Sequence, residues 1–295
     1  MRDFEYLAPA TIDEALAALA GGNARPFAGA TDVLVQMRVG RIAPDRLVDV
    51  KKIPELNRLS FDATRGLSIG AAVPCYLIYA DPTVVKNYPG LVDSASIIGG
   101  IGIQGRATLG GNLCNAAPSG DSIPTLIALS AVAVVRGPKR ERRVPVEAFC
   151  IAPGRTVLEA GEILVSIDIP TPRPNSGAHY QRFIPRYEMD IAVVGVGASV
   201  ELSADKRTIV AARVALASVA PTPLFVPEAG VALVGTTGDD AALDHAAQAA
   251  QAVARPITDM RGSAAQRRHL VGVLTRRVLR GAIARARGET VNASH

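Results

Sequence analysis

Gly99-Gly-Ile-Gly-Ile-Gln-Gly-Arg-Ala-Thr-Leu-Gly-Gly-Asn112 is the stretch on which the fold turns. Within it, Gly100-Ile-Gly-Ile-Gln-Gly105 is a literal GxGxxG, and Asp121 follows near the distance of a ribose-binding acid. That pairing invites a parallel dinucleotide-binding sheet. The fingerprint must leave a hydrophobic strand and open a helix whose N-terminus receives a pyrophosphate. Here Leu91–Ile98 continues a helical pattern ahead of the glycines. Behind them, Ala107-Thr-Leu-Gly-Gly-Asn112 puts two glycines where a helix would be propagating. The segment reads as a loop, and the doubly wound nucleotide-binding sheet is rejected. Neither GxxxxGK[ST] nor GxSxG occurs in the chain, so a P-loop and a nucleophile elbow are unsupported as well.

Outward from this loop, strands come in groups instead of alternating with long helices, which favours an α+β class. Thr11-Ile-Asp-Glu14 is a capping box that opens a first helix. Short strands are predicted at 25–28 and 47–50, and Leu67, Ile69, Ala71 and Val73 alternate as a half-buried strand should. Asp81-Pro82 opens a helix predicted to run to about Ser96. A further helix is predicted over 122–129, with strands at 131–136 and 162–169. Thr171-Pro-Arg-Pro-Asn-Ser-Gly177 is the best linker, dense in Pro, Ser and Gly. Beyond it, strands near 180–183, 191–202 and 209–219 form a β-meander, followed by helices at 241–254 and 262–287.

The 295 residues fit about two domains, and 48% hydrophobic with 20% charged residues is ordinary for a chain with real cores. The chain lacks an uninterrupted apolar run of about 18 residues, so no membrane span is expected. Met1-Arg-Asp-Phe-Glu-Tyr6 lacks the apolar centre of a secretory signal, and the three cysteines are an odd count; both suit a cytoplasmic protein. Aromatics make up 4% and Trp is absent, which leaves little stacking surface for single-stranded nucleic acid. Cys75, Cys114 and Cys150 are far apart, and His179, His245, His269 and His295 are scattered, so neither a zinc site nor an iron–sulfur cluster is expected in this chain. From Arg255 to Arg287, nine arginines face one acid, yet Leu270, Val273, Leu274, Val278 and Ile283 recur at helical spacing. That pattern reads as an amphipathic helix with a charged outer face, better suited to a protein or cofactor-phosphate contact than to nucleic acid.

Two other glycine loops are informative together. In Phe27-Ala-Gly-Ala-Thr-Asp-Val-Leu34 a strand breaks at Gly29 and polar residues follow at once. Thr108-Leu-Gly-Gly-Asn112 is the second, with Asp121 nine residues further on. Successive small residues let backbone N–H groups converge on an anion, and Thr and Asn add side-chain donors. Asp121 is a short acceptor that suits a ribose or ribityl hydroxyl. The competing reading is two ordinary strand-to-loop turns, with Asp121 capping the helix at Ser122.

Ala28–Asp32, Ile103–Asn112 and Asp121 together resemble the FAD-binding medium subunit of molybdenum hydroxylases of the carbon monoxide dehydrogenase and xanthine dehydrogenase type. Arg182-Phe-Ile-Pro-Arg186 with Met189-Asp-Ile-Ala192, and Asp259-Met-Arg-Gly-Ser263 with Arg267-Arg268, are similar to its C-terminal domain. The resemblance implies an α+β fold: a two-subdomain FAD-binding domain over 1–172 (subdomains about 1–55 and 56–172) and a smaller C-terminal α+β domain over 178–290. It implies that Ala28, Gly29, Ala30, Thr31 and Asp32 form a first pyrophosphate loop. Thr108, Leu109, Gly110, Gly111 and Asn112 would form the second, and Asp121 would bind a cofactor hydroxyl. Ile98 falls at an adenine- or flavin-side contact, and Leu164 and Arg182 at positions lining the isoalloxazine. No side chain is expected to act as acid, base or nucleophile. The expected partners are a large subunit with the molybdenum cofactor and a small subunit with [2Fe–2S] clusters, as a dimer of heterotrimers.

Three departures from the family pattern stand out. Ala30 replaces a frequent second glycine, which would strain it mildly if φ is positive. Gln104-Gly105 replaces a common Arg-Asn pair, and Arg182 replaces a frequent Lys, keeping charge but not shape. The cysteine-bearing insertion that gives some benzoyl-CoA-type reductases an extra four-iron cluster is missing.

Overall fold

Three sheets organise the chain, and the computed structural model describes residues 2–187 and 189–292; His295 lies outside the described residues. The first sheet is parallel. Strand β1 (Glu5–Leu7), helix α1 (Ile12–Leu19), β2 (Ala24–Phe27), α2 (Val33–Arg38) and β3 (Arg46–Asp49) build it in the order β1-β3-β2. Thr11 caps α1 as its sequence announces, its hydroxyl accepting from the Glu14 amide at 3.2 Å.

The second sheet is antiparallel and begins with the hairpin β4 (Leu59–Asp62) and β5 (Gly66–Gly70). Six short helices then intervene: α3 (Cys75–Ala80), α4 (Pro82–Asn87), α5 (Pro89–Ala95), α6 (Ile101–Gln104), α7 (Leu109–Asn115) and α8 (Ser122–Ala128). Strands β6 (Val132–Arg136), β7 (Glu141–Pro145) and β10 (Ile163–Ile169) complete the sheet in the order β4-β5-β10-β6-β7, with β8 (Cys150–Ala152) and β9 (Arg155–Thr156) as a separate two-stranded ribbon. One continuous apolar core runs beneath the first two sheets, joining Leu16 and Val48 to Leu67, Ile127 and Ile167.

The third sheet is the β-meander: β11 (Ser176–Phe183), β12 (Val194–Leu202), β13 (Ile209–Ala217) and β14 (Leu224–Phe225), all antiparallel. Helices α9 (Pro227–Val231), α10 (Asp240–Val253) and α11 (Ala264–Arg287) follow, and a second core holds Val196, Leu216, Leu243, Val278 and Leu279.

Four sequence expectations are corrected. The helix predicted from Pro82 to about Ser96 is two helices, because Pro89 removes an amide and forces Tyr88 out of helical geometry, at φ −132° and ψ 52°. The strand through Leu67 ends at Gly70, where Ala71 turns to donate to the Val165 carbonyl at 2.8 Å. The strand predicted over 162–169 is not regular; a bulge between Leu164 and Ser166 interrupts the pairing of β10 with β6. Finally, α11 does not keep all its charge outside, since the Arg267 and Arg285 side chains are buried.

Candidate functional site

The first loop, Ala28–Asp32, leaves the end of β2 and enters α2. Lys51 anchors its start, donating to the Ala28 carbonyl at 3.2 Å and to both Asp49 oxygens at 2.7 Å. Burial would raise the Asp49 carboxyl, but hydrogen bonds from Lys51 and Tyr6 outweigh it and hold it below the usual carboxylate range. Gly29 is a steric necessity: a Cβ there would lie 1.8 Å from the Arg106 carbonyl oxygen. The Arg106 Nε also donates to the Gly29 carbonyl at 3.2 Å, so the first loop packs directly on the chain just ahead of the second. Ala30 has φ 63°, the left-handed geometry in which a Cβ costs about 1–2 kcal/mol. Asp32 reaches solvent, yet surrounding protein desolvates it enough to raise its carboxyl, as expected for the wall of a recess.

The second loop is fixed from behind. Thr108 bridges Pro74, and the Cys75 amide donates to the Ala107 carbonyl at 2.8 Å. The Thr108 hydroxyl caps α7 by accepting from the Gly111 amide at 2.8 Å, and Leu109 is fully buried in the first core. The two glycines face opposite ways. A Cβ on Gly110 would lie 2.5 Å from the Ala71 carbonyl oxygen, whereas one on Gly111 would meet only the Thr108 hydroxyl, at 3.0 Å. Gly110 therefore serves packing, and Gly111 lies exposed without a side chain, its own amide taken by Thr108. The Asn112 side-chain oxygen accepts from the Ser122 hydroxyl at 2.7 Å, tying this loop to the residue after Asp121. Gln36 donates to the Asn115 side chain at 2.9 Å, which cross-links α2 to α7.

The GxGxxG segment is a turn and one short helix, α6, preceded by α5 and not by a strand. Gln104 locks it, accepting from the Tyr79 hydroxyl at 2.9 Å and donating to the Ser96 carbonyl at 2.6 Å. Ile98 and Leu164 are both buried in the first core. Leu164 lies beside the bulge whose Val165 carbonyl receives the Ala71 amide, so its strand abuts the support of Gly110.

Asp121 makes no capping bond to α8. Instead it reaches the C-terminal sheet: its Oδ1 accepts from the Tyr180 hydroxyl at 2.9 Å and its Oδ2 from the Arg182 guanidinium at 2.7 Å. Burial raises its carboxyl to about 6, against the opposing charge of Arg182 and the two hydrogen bonds. The Tyr180 phenol is raised well above its ordinary value, by burial first and then by Asp121. Sequence reading found Asp121 and Arg182 but missed Tyr180 and Arg106. Tyr180 was visible in principle, since it lies two residues from Arg182 and therefore on the same strand face.

Elsewhere the chemistry is quiet. The cysteines are unpaired, and burial pushes Cys75 and Cys114 up to about 12 and Cys150 up to about 11. Among the described residues, no group of three or more His, Cys, Asp or Glu could hold a metal ion. Two depressions follow the outer side of α10 and α11, and most of their charge is paired, Arg276 with Asp244 and Arg280 with Asp240, both at 2.7 Å, which leaves Arg277 as the excess cation. They offer no bare backbone to an anion, unlike the glycine loops.

Residues 2–172 match the FAD binding domain in molybdopterin dehydrogenase, and residues 179–282 match the CO dehydrogenase flavoprotein C-terminal domain. The chain belongs to the FAD-binding medium subunits of molybdenum hydroxylases. It is 31% identical over 284 residues to the carbon monoxide dehydrogenase medium chain of Hydrogenophaga pseudoflava, covering 96% of this chain and 98% of the relative. It is 30% identical to a putative xanthine dehydrogenase FAD-binding subunit of Escherichia coli, covering 98% and 99%. Among solved structures, reconstituted CO dehydrogenase from Oligotropha carboxidovorans superposes with a TM-score of 0.92 at 31% identity over 96% of this chain and 99% of that one. Quinoline 2-oxidoreductase from Pseudomonas putida 86 gives 0.90 at 30% identity, covering 97% and 98%. The medium subunit described here is thus the FAD-binding component of an oxidoreductase of this multisubunit type. Its residues fit that cofactor: the first loop packs on the chain just ahead of the second, Gly111 is exposed and free of a side chain, and Asn112 ties the second loop to Ser122 beside the Asp121 carboxylate.

Proposed function

We propose that this subunit is the electron exit of its complex. Electrons taken from an organic or inorganic substrate at the molybdenum cofactor of a large subunit pass through the [2Fe–2S] clusters of a small subunit and leave here to an external acceptor. When bound, FAD supplies the exchange between one-electron clusters and a two-electron acceptor. The observation that supports this reading is the close approach of the Gly29 backbone to Arg106, two residues ahead of the second loop, together with the exposed, side-chain-free Gly111 within that loop.

This chain's own residues bind and orient. Ala28 to Asp32 and Thr108 to Asn112 cradle the pyrophosphate through backbone N–H groups, with Thr31 and Asn112 as supplementary donors. Asp121 accepts from a cofactor hydroxyl. Leu164 and Arg182 border the isoalloxazine, Ile98 adds an apolar contact, and no proton is moved by a side chain. The assembly is a dimer of heterotrimers, and three unpaired thiols held in their protonated form by burial suit a reducing cytoplasm.

The test uses the purified complex with Gly111→Trp in this subunit. Substrate should still bleach the iron–sulfur absorbance, while turnover with the external acceptor should fall at least a hundredfold. Unchanged acceptor turnover would overturn the proposal and leave the chain a scaffold.

A further inference from the structure

The carboxylate of Asp121 is held by a device that the sequence does not advertise. Tyr180 is 2% exposed, and its hydroxyl is aimed across the domain seam at Asp121 Oδ1, 2.9 Å away. Its backbone is pinned as well, since the Tyr180 amide donates to Asp93 Oδ2 at 3.2 Å. The neighbouring strand makes room for the phenol: a Cβ on Gly195 would lie 2.7 Å from the Tyr180 oxygen. Arg182, two residues on and opposite Gly195 in the ladder, takes Asp121 Oδ2. An ionised carboxylate has about four acceptor positions, two on each oxygen. Among the described residues, Tyr180 and Arg182 occupy one on each, which leaves one on each oxygen.

We propose that Tyr180 is a positioning residue of the cofactor site: with Arg182 it keeps Asp121 ionised and turned so that its free lone pairs accept from vicinal hydroxyls of a ribityl or ribose chain. This rests on the reading of the glycine loops as an FAD site. Arg182 is the charged group acting on Asp121, and Tyr180 is its other titratable neighbour, itself kept neutral by burial and by the carboxylate. Because burial already raises Asp121 to about 6, its ionisation depends on the donors it retains. Removing the phenol donor leaves Arg182 alone to oppose desolvation. The neutral acid then persists to higher pH, and a protonated carboxyl gives up part of its acceptor capacity.

The experiment measures FAD affinity of the full chain by flavin fluorescence from pH 5 to 8, alongside a 13C-carboxyl NMR titration of Asp121 without FAD. In the parent chain, affinity should fall as pH drops through about 6. In Tyr180→Phe both midpoints should move up by about one pH unit, so that affinity at pH 6.5 falls several-fold while affinity at pH 8 nearly recovers. Gly195→Ala, which keeps the phenol but displaces its oxygen, should reproduce the shift. A uniform loss of affinity at every pH, or unchanged midpoints in both variants, would overturn the role of Tyr180 while leaving the FAD site standing. A folded parent chain that takes up no FAD at any pH would remove the site itself, and this role with it.

Discussion

Gly110 and Gly111 are chemically identical neighbours with different work, and the difference is measurable. Gly110→Ala drives a methyl into the Ala71 backbone, with 2.5 Å to its carbonyl oxygen, so the loop or β5 must shift. A loss of about 1–3 kcal/mol in unfolding free energy is expected, read by urea denaturation. Gly111→Ala meets only the Thr108 hydroxyl and should leave stability within about 0.5 kcal/mol, while weakening FAD uptake by tenfold or more. Asp121 makes a second residue-scale prediction. Its carboxyl lies above its unfolded value, so the native state binds the proton more tightly, and stability rises as pH falls from about 6 toward 4. Relative to Asp121→Asn, the parent chain should gain about 2 kcal/mol between pH 7 and pH 4. The glycine loops stood out in the sequence because runs of small residues are written directly in residue type. Tyr180 shares a strand face with Arg182, but nothing in its residue type marks the bond it makes to Asp121, 59 residues away in the chain.

Helix α11 carries most of the excess basic charge, and the structure divides that charge by burial. Arg276 and Arg280 pair with acids of α10 on the outer side. Arg267 turns inward, donating to the carbonyls of Val193 and Ser218 and to Asp259, and so explains why 259–268 reads as one motif. Arg285 reaches Asp93 on α5, with Arg285 Nη1 2.5 Å from Oδ2 and Nη2 2.9 Å from Oδ1, while the His179 Nδ1 lies 2.7 Å from the same carboxylate. Burial would raise Asp93, but the His179 and Arg285 bonds win and hold it below its usual range. Arg285→Leu strands that carboxylate in the interior, and a loss of about 3–5 kcal/mol is expected in chemical denaturation at pH 7. Helical spacing announced the length of α11, but it could not say which arginines have a buried acid waiting on another element. The same limit applies to β1, whose three residues are too few for a periodic signal and gain their place from parallel pairing with β3.

On the scale of the whole molecule, the chain is two cores joined by a polar seam. Asp93 and Asp121 cross it to β11, Ser199 donates to the Ala128 carbonyl at 2.6 Å, and Arg213 bridges to the Ile127 carbonyl and Glu147. The α+β class was legible because strands cluster instead of alternating with long helices. What the residue pattern could not show is that the first two sheets share one core, to which both glycine loops contribute through Ala28 and Leu109. Hydrogen–deuterium exchange of the full chain with and without FAD tests this account most directly. Added FAD should slow exchange in peptides covering both 28–32 and 108–112, and leave the α10 and α11 depressions unchanged. Protection of one loop alone, or protection centred on α10 and α11, would contradict it.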